Sequence, residues 1–296
     1  MKIAVFGASG VIGSALLPAL AEAHEVVALS RRQHESAGDV PWLVADATDE
    51  TTLDVLEGMD IAVYLVHSLG SASFESVDRA AAENVARAAG RAGLRQIVFL
   101  GGLGDDGPEL SRHLRSRQDT AKALASGPVP VTTLRAAMVV GAGSAAFETI
   151  RALVDRLPVM ICPRWVAVPT QPIALRDVAG YLAGVCGIEA AYGRAFDVGG
   201  PEVMTYREMI ERIASIQGKR RYVVEVPVLT PRLSSWWLHL VTPVNATVAR
   251  PLIEGLRNAT VAQTDAIRGL VSTELTPFDK AVREALSSPR PPAGNG

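Results

Sequence analysis

The stretch Gly7-Ala8-Ser9-Gly10-Val11-Ile12-Gly13 decides the fold. It follows the short apolar run Lys2–Phe6 directly and leads into the helical stretch Ser14–Ala23. In a strand, loop and helix of this kind, the first glycine permits a tight turn. The second lets backbone N–H groups approach a pyrophosphate, and the third lets the helix pack closely on the sheet. The loop, with Ser9, Val11 and Ile12 between its glycines, therefore predicts a dinucleotide site at a helix N-terminus, and a glycine-bearing turn without a ligand is the alternative.

Outside this loop, short β-branched runs alternate with Ala-rich helical stretches as far as about Gly141. The alternation predicts an α/β fold, a Rossmann-type doubly wound parallel sheet whose strands are fully apolar because helices cover both faces. We expect helices at Ser14–Ala23, from Asp49 to Gly58 and at Ser73–Ala92. We expect six strands, at Lys2–Phe6, Glu25–Leu29, Trp42–Ala45, Ile61–Val66, Gln96–Leu100 and Val131–Leu134.

Beyond about Gly141 the alternation loosens and prolines become denser, which indicates a second region. We expect residues 1–141 to form the dinucleotide-binding Rossmann region and residues 142–288 a smaller mixed lobe on the substrate side, packed on it. The last residues, 289–296, read "PRPPAGNG" and are expected to be a disordered tail. Within the smaller lobe we expect helices at Leu175–Val185 and Tyr206–Gln217 and strands at Ala195–Val198 and Tyr222–Val226.

Composition excludes several classes of protein. With 29 basic and 31 acidic residues the net charge is -2, so the overall basic field of a nucleic-acid-binding protein is missing and no nucleic-acid partner is expected. Cys162 and Cys186 have no metal-ligand spacing, and no metal site is expected. No signal peptide precedes the first strand, and the nearest approach to a membrane span, Ser234–Val244, is too short, so we expect a cytoplasmic protein without a transmembrane segment. Nothing here indicates an oligomeric state.

The end of the second predicted strand carries the residues that distinguish NADP(H) from NAD(H). An NAD-specific site usually has an acidic residue there for the ribose 2′-hydroxyl, whereas this chain has Ser30-Arg31-Arg32. Two guanidinium groups and a hydroxyl suit a 2′-phosphate. The sequence therefore favours NADP(H), with NAD(H) as the second choice, and a solvated pair of arginines is the alternative.

Further candidate cofactor residues follow the next strands. Asp46, with Ala47 behind it, is placed to accept from an adenine amino group, although a helix-capping aspartate is an equal alternative. Val66-His67-Ser68 ends the fourth strand and is expected to pass under a cofactor ribose, with a simple loop histidine as the alternative. Gly101 ends the fifth strand and completes the set.

The runs "GASGVIG", "VADATDE", "ENVARAAGRAG", "IVFLGGLG" and "LRAAMVVG" occur in this order, and with them the chain resembles the extended short-chain dehydrogenase/reductase superfamily. It is most similar to the atypical NAD(P)H-binding branch that includes NmrA-like proteins and relatives of the complex I accessory subunit. "TQPIALRDVAGYL" and "FDVGGPEVMTYREM" also match that branch, on the substrate-side lobe, and Asn84 matches an asparagine of the superfamily. The resemblance implies a Rossmann fold, a nicotinamide cofactor and a small-molecule substrate.

Redox members of this superfamily use a Tyr followed four residues later by Lys, and a Ser or Thr after the fifth strand. Here the matching stretch reads "HLRSRQD", so His113 takes the place of Tyr and Arg117 that of Lys, while Gly101-Gly102 replaces the hydroxyl. One hypothesis is an NAD(P)H-dependent oxidoreductase, or an epimerase-like isomerase, acting on a small hydrophobic carbonyl or quinone-like molecule. In it His113 is the general acid/base and Arg117 binds ribose hydroxyls or a phosphate. The other is a non-catalytic protein that senses or is regulated by NADP(H).

Four other features have packing as their first interpretation. Trp236-Trp237 forms an apolar patch expected in the core of the second lobe, with a substrate pocket, a subunit contact or a peripheral membrane contact as alternatives. Met138 is expected to pack and Arg135 to have a structural role. Arg164-Trp165 is expected to be a surface cation–π pair or part of a substrate cleft.

Overall fold

A seven-stranded sheet organises the computed structural model, which describes residues 1–34, 40–68, 74–104, 111–226 and 259–288. Its strands are numbered along the chain together with those of three small two-stranded sheets. They are β1 (Lys2–Phe6), β2 (Glu25–Ser30), β3 (Trp42–Val44), β4 (Ile61–Tyr64), β5 (Gln96–Gly102), β6 (Val131–Ala136), β7 (Val139–Val140), β8 (Val159–Pro163), β9 (Pro169–Thr170), β10 (Ile173–Ala174), β11 (Ala195–Val198), β12 (Met204–Thr205) and β13 (Tyr222–Val226).

The helices fall between these strands. They are α1 (Val11–Ala21), α2 (Phe74–Ala92), α3 (Arg112–Leu124), α4 (Ala145–Arg156), α5 (Leu175–Gly184), α6 (Tyr206–Ile216), α7 (Asp265–Arg268) and α8 (Phe278–Ser287). Short 3₁₀ helices occupy Glu50–Leu56, Arg164–Ala167 and Glu189–Ala191. In the described part of the chain, no helix is both long enough and apolar enough to cross a membrane.

The main sheet is parallel throughout and has the order β11-β6-β5-β4-β1-β2-β3. Ile3 on the central strand β1 is in register with Val26 of β2 on one side and Ile61 of β4 on the other. The strand order therefore reverses at β1, and an open sheet of this kind binds its ligand in the crevice outside the carboxyl ends of the strands at that point. The predicted α/β fold with a doubly wound parallel sheet is confirmed.

Helices cover both faces of this sheet. One face packs against α1 and α5, where Leu16, Leu20 and Tyr181 are fully enclosed. The other packs against the 3₁₀ helix at Glu50–Leu56 and against α2 and α3, and its core includes Val85. Two separate apolar layers of this kind are what a sheet with apolar residues on both faces requires.

The edge strand β3 departs from the prediction that every strand is covered on both faces. Leu43 and Val44 are 41% and 44% exposed, because β3 lies at the edge of the sheet and is only three residues long. The segment after Thr48 is also tighter than predicted, since it forms a 3₁₀ helix capped by Asp49 rather than an α-helix. Its inward residues, Leu53 and Leu56, are buried as expected.

The region after Gly141 is tied to the main sheet. Strand β11 pairs with β6 in parallel, with Phe196 opposite Leu134. Helices α4, α6 and α8 pack on one another around a third apolar cluster that includes Phe147, Met209 and Val282. The strands predicted at Ala195–Val198 and Tyr222–Val226 are observed with those bounds, and the two predicted helices are each one residue shorter. The predicted tail, 289–296, lies outside the described residues.

Candidate active site

The glycine loop forms the turn between β1 and α1. Gly7 has a φ of +75°, and a Cβ there would lie 3.0 Å from the backbone of Leu65. A Cβ on Gly13 would lie 2.4 Å from the carbonyl oxygen of Gly7, a contact that no side chain tolerates. The Gly10 N–H donates to the Gly7 carbonyl at 3.0 Å. Gly7 and Gly13 are thus required by the backbone around them, as the strand–loop–helix pattern predicts, while a Cβ on Gly10 would make a tight contact, 3.2 Å from the Gly7 oxygen.

The N-terminus of α1 is open to an anion. Gly10 is its N-cap, no side chain accepts from the first N–H groups, and the first turn contains no acidic residue. Free N–H groups and the helix dipole at such an end attract phosphate. The loop residues Ser9, Val11 and Ile12 lie at this end and are partly or fully exposed, so the backbone fits a pyrophosphate.

Ser30, Arg31 and Arg32 stand at the carboxyl end of β2. Both arginines are exposed, and within the described residues neither guanidinium has a carboxylate partner. The hydroxyl of Ser30 accepts from the Arg32 N–H at 3.3 Å. Two exposed guanidinium groups at the end of the strand next to β1 suit a phosphate on the adenosine ribose.

Asp46 has local partners at the end of β3. One carboxylate oxygen accepts from the N–H of Thr48 at 2.9 Å and from its hydroxyl at 2.7 Å. The carbonyl of Ala47 accepts from the Asn84 side chain at 3.1 Å, which joins this turn to α2. The turn-forming role of Asp46 is therefore observed, close to the capping role weighed from the sequence, and the true helix cap is Asp49.

His67, in the loop after β4, is held by a residue that the sequence analysis missed. Asp78 on α2 is 1% exposed, and its carboxylate lies 2.9 Å from Nδ1 of His67 and accepts from the Ser68 N–H at 3.0 Å. Burial raises the pKa of Asp78, but the hydrogen bond from His67 and its other partners outweigh that effect and lower it. The signal was present, because Asp78 is the one acidic residue on the buried face formed by Phe74, Ala81 and Val85.

His113, in the first turn of α3, lies beside His67. The two imidazole rings are 5.1 Å apart between centroids. Nε2 of His67 and Nδ1 of His113 are both buried and have no hydrogen-bond partner among the described residues. Burial lowers the pKa of His67. Burial, with the charges of His67 and Arg117, lowers the pKa of His113 to about 3, so His113 is a neutral imidazole at neutral pH.

Arg117 points into the protein. It is 8% exposed and donates to the carbonyl of Val66 at 3.2 Å and to the carbonyl of Leu100, at the ends of β4 and β5. Its guanidinium carbon lies 4.6 Å from the centre of the Phe99 ring. Burial lowers its pKa to about 10, and the nearby charge of Asp78 opposes this shift. The guanidinium is thus directed at protein carbonyls, whereas the resemblance to the superfamily predicted that it binds ribose hydroxyls or a phosphate.

The other singled-out residues have structural surroundings. Arg135 forms an ion pair with Asp197 at 2.6 Å, and Met138 is buried in the third apolar cluster, both in line with the packing interpretation. Gly101 lies in β5 opposite Arg135. Burial raises the pKa of Cys162 to about 11 and that of Cys186 to about 12, which leaves both thiols protonated. The Trp236-Trp237 pair and the side chains of Arg164 and Trp165 lie outside the described part, in which no cluster of metal ligands occurs.

Residues 7–140 match a protein family described as NAD(P)H-binding. The (4-alkanoyl-5-oxo-2,5-dihydrofuran-3-yl)methyl phosphate reductase of Streptomyces griseus is 29% identical over 228 residues, covering 73% of this chain and 74% of that protein. The mitochondrial NADH dehydrogenase [ubiquinone] 1 alpha subcomplex subunit 9 of Arabidopsis thaliana is 24% identical over 223 residues, 70% of this chain and 56% of the relative.

Two solved structures share the fold. Triphenylmethane reductase of Citrobacter sp., complexed with NADP(H), is 19% identical with a TM-score of 0.75 and covers 96% of this chain and 100% of that one. The NADPH-dependent quinone oxidoreductase of Escherichia coli, complexed with NADPH, is 19% identical with a TM-score of 0.77 over 97% of this chain and 100% of that one. At these identities the likeness shows the fold alone.

Proposed function

Residues 7–140 match a family described as NAD(P)H-binding, and on that premise we propose that this protein is an NADP(H)-dependent oxidoreductase acting on a small hydrophobic carbonyl or quinone-like substrate. The observation that carries the proposal is that a phosphate-binding helix end and a pair of histidines lie at the same end of the sheet. There the uncapped N-terminus of α1 and the exposed guanidinium groups of Arg31 and Arg32 lie at the carboxyl ends of the strands, together with the His67–His113 pair. A phosphate-binding end and a titratable group beside it are what dinucleotide-dependent chemistry needs.

The glycine loop holds the cofactor in this proposal. Backbone N–H groups of the loop and of the first turn of α1 take the pyrophosphate, and Ser30, Arg31 and Arg32 take the 2′-phosphate. Asp46 and Ala47 line the adenine end. Val66, His67, Ser68 and Gly101 lie under the ribose next to the nicotinamide. The bound dihydronicotinamide supplies a hydride.

His113 exchanges the proton in this proposal. Its imidazole replaces the phenol of related enzymes, and its enclosed ring is neutral at neutral pH because its pKa lies at about 3. A neutral imidazole takes a proton from a substrate hydroxyl as the alcohol is oxidised. In the direction of reduction it must first be protonated, and then it delivers that proton to the carbonyl oxygen. Arg117 is a positioning residue here, because its guanidinium donates to the carbonyl of Leu100 and to that of Val66, the residue before His67.

The structures named above favour a hydrophobic substrate. The neighbours that share the fold include a quinone oxidoreductase and a triphenylmethane reductase, and both names denote substrates built from hydrophobic carbon rings. A relative at 29% identity is a reductase of an unsaturated lactone phosphate. We therefore begin the search with quinones, aldehydes and other conjugated carbonyl compounds.

The experiment is a panel of these compounds with NADPH, using the full chain and His113→Ala. The proposal expects NADPH consumption with at least one compound and its loss in His113→Ala, while NADPH affinity, followed by fluorescence, stays within about threefold. Ser126→Ala, on an exposed turn that follows α3, is the matched control and is expected to keep full activity.

A non-catalytic protein that responds to NADP(H) is the second candidate. It is favoured by one observation, the inward direction of Arg117. Arg117 takes the place of the lysine in the Tyr and Lys pair of redox members, and its guanidinium is directed at protein carbonyls rather than at a ligand. Tight NADPH binding with no consumption across the whole panel would select this candidate over the first.

A further inference from the structure

The small sheet of β8 and β13 has one covered face and one open face. Met160 and Val223 point to the covered face and are buried in the third apolar cluster. The side chains that alternate with them point the other way and are between 47% and 63% exposed. Ten large apolar side chains are exposed in the described part of the chain, and four of them lie here. We call these four the outer face: Val159, Ile161, Tyr222 and Val224.

The outer face is continuous across the two strands. Tyr222 is in register with Val159, and Val224 with Ile161, so residues of both strands stand side by side on the same face. Apolar side chains scattered singly over a surface are normal, whereas a contiguous group marks a place where a protein meets a partner. The outer face is therefore a candidate docking surface.

Basic residues precede both strands of this sheet. Arg156 ends α4, three residues before β8 begins, and Lys219-Arg220-Arg221 leads directly into β13. Because β8 and β13 are parallel, the two basic segments lie at the same end of the sheet. Arg156 and Arg220 are exposed, whereas Lys219 and Arg221 are partly buried. We call these four residues the basic rim.

The acidic residues nearby do not cancel the charge of the basic rim. The carboxylate of Asp155 pairs with Lys219 and lies 3.9 Å from Arg151. Glu225 points to the covered side of β13, where Arg207 donates to it at 2.8 and 3.1 Å. One carboxylate thus stands against the four cations of the rim, which leaves an excess of positive charge beside the outer face.

We propose that the outer face and the basic rim together dock this protein on a lipid bilayer with anionic head groups. The aliphatic side chains then enter the boundary between head groups and acyl chains. The ring of Tyr222, apolar with a polar hydroxyl, is of the kind enriched at that boundary. The cations beside it meet the lipid phosphates. The cofactor site takes no part in this contact, so the inference is independent of the proposed function.

Charge favours a lipid surface over other partners. The whole chain has a net charge of -2, but charges more than about 8–10 Å away are screened at physiological salt, so the local excess at the rim decides the attraction. A second copy of the chain is less suited, since a stable interface uses roughly 20–30 residues a side. A bilayer needs no such matching area, because each inserted side chain and each cation adds to the binding.

The experiment measures binding of the full chain to lipid vesicles by sedimentation. Vesicles of equal parts phosphatidylglycerol and phosphatidylcholine are compared with vesicles of phosphatidylcholine alone, at about 0.1 and about 0.5 M NaCl. We expect binding to the anionic vesicles to be tighter by about tenfold or more. The higher salt should weaken it, because screening reduces the attraction between the rim and the phosphates.

One double variant tests the apolar part of the surface. Tyr222→Ser/Val224→Ser removes apolar area and should weaken binding to the anionic vesicles by about tenfold. The matched control is Val203→Ser/Val261→Ser, at two positions that are 54% and 44% exposed and lie outside the outer face. The control should bind like wild type.

A second double variant tests the charge. Arg156→Ala/Arg220→Ala removes two cations of the rim and should weaken binding by about 10–30-fold, on the order of fivefold for each cation. Arg79→Ala/Arg283→Ala is the matched control, because both of these arginines are exposed and lie on other helices, α2 and α8. It should leave the affinity for anionic vesicles unchanged.

A fluorescent label shows whether the outer face itself enters the bilayer. Tyr222→Cys carries an environment-sensitive fluorophore, and Val203→Cys carries the same one as the control. Burial raises the pKa of Cys162 to about 11 and that of Cys186 to about 12, so the two native thiols react slowly at neutral pH. Anionic vesicles should shift the emission at position 222 to shorter wavelength and leave that at position 203 unchanged.

Three results would overturn the inference: equal binding to neutral and anionic vesicles, test variants that bind like their controls, or unchanged emission at position 222. A smaller oligomer of Tyr222→Ser/Val224→Ser without lipid, measured by size-exclusion chromatography, would also overturn it, by assigning the outer face to a second copy. The comparison of the two kinds of vesicle uses the wild-type chain, so it decides the matter even where a variant fails to fold.

Discussion

The guanidinium of Arg117 lies over the ring of Phe99 and at the same time donates to the carbonyl of Leu100, the residue next to that ring. Arg117, on α3, therefore contacts β5 in two ways, through the backbone carbonyl of Leu100 and through the aromatic ring of Phe99. Its second hydrogen bond, to Val66, extends the link to the chain leaving β4. Arg117 stands where redox members of the superfamily that this chain resembles have a lysine, and its guanidinium donates to carbonyls of two neighbouring strand ends.

Replacing Arg117 should destabilise the protein. Arg117→Ala leaves two buried carbonyls without donors, and we expect the free energy of unfolding to fall by about 1–3 kcal/mol, measured by urea denaturation. Arg117→Lys should recover only part of the loss, because an ammonium lacks the planar fork that reaches both carbonyls. Arg79→Ala, which removes an exposed arginine, is the control and should leave the midpoint close to wild type. A wild-type midpoint in Arg117→Ala would contradict this account.

The close approach of Gly13 to Gly7 makes a second prediction. Gly13→Ala would place a Cβ 2.4 Å from the Gly7 oxygen and 2.6 Å from the Cα of Ala8, so the loop and α1 must separate. We expect NADPH affinity to fall at least tenfold, followed by fluorescence titration. Gly180→Ala is the matched control, because the nearest atom to its Cβ is 3.7 Å away and alanine favours the helix. Normal NADPH binding by Gly13→Ala would show that the loop does not hold the pyrophosphate.

Arg31 and Arg32 should distinguish the two nucleotides. If their guanidinium groups bind a 2′-phosphate, the double variant Arg31→Ala/Arg32→Ala loses NADPH affinity by about 10–100-fold, as expected for charge-assisted hydrogen bonds. NADH lacks this phosphate, so its affinity should change little. Separate titrations of the two nucleotides measure the effect, and equal affinities that the variant leaves unaltered would refute the assignment.

The enclosed His113 predicts a pH dependence of stability. Its pKa is lowered to about 3 in the folded protein, mainly by burial, whereas an unfolded chain binds this proton near pH 6.5. Below that pH the unfolded state therefore binds more protons, and the free energy of unfolding falls as the pH drops from about 6.5 towards 3, by at most about 1.4 kcal/mol per pH unit for one group. His67, whose pKa is also lowered, acts in the same direction.

The variant His113→Gln tests whether His113 causes this pH dependence of stability. Urea denaturation at a series of pH values between 7.5 and 4.5 gives the slope for each protein. The variant should lose stability less steeply than wild type across that range, because it no longer takes up this proton on unfolding. Parallel slopes would mean that His113 titrates normally in the folded protein.

The parts of the fold predicted from sequence are those fixed by local patterns. The glycine loop, the six strands of the first region and the buried face of α2 each depend on residues that are near one another in the chain, so periodicity and turn chemistry revealed them. The prediction of an α-helix after Thr48 was wrong, because the sequence pattern does not specify how tightly each turn closes and the segment forms a 3₁₀ helix. The burial of β3 was wrong because edge position is a property of the whole sheet.

The candidate site could be predicted only in part from the sequence, because its contacts join residues that are far apart in the chain. Asp78 meets His67 only because α2 folds back along β4, and Arg117 turns inward only because two strand ends lie beneath α3. No rule of residue spacing along the chain predicts these contacts. The assignments of cofactor-binding and proton-transferring residues therefore stay predictions, to be tested by the titrations and variants above.

Strand β11 has a consequence for how this chain can be divided. Although the composition changes near Gly141, β11 supplies the last parallel partner of β6, with Asp197 also paired to Arg135. A fragment that stops at residue 141 would leave β6 as an open edge, with unpaired N–H and C=O groups and the apolar neighbours that β11 normally covers. Such an edge invites association with other chains. The dinucleotide-binding half is therefore not a portable module, and attempts to express it alone should yield aggregates.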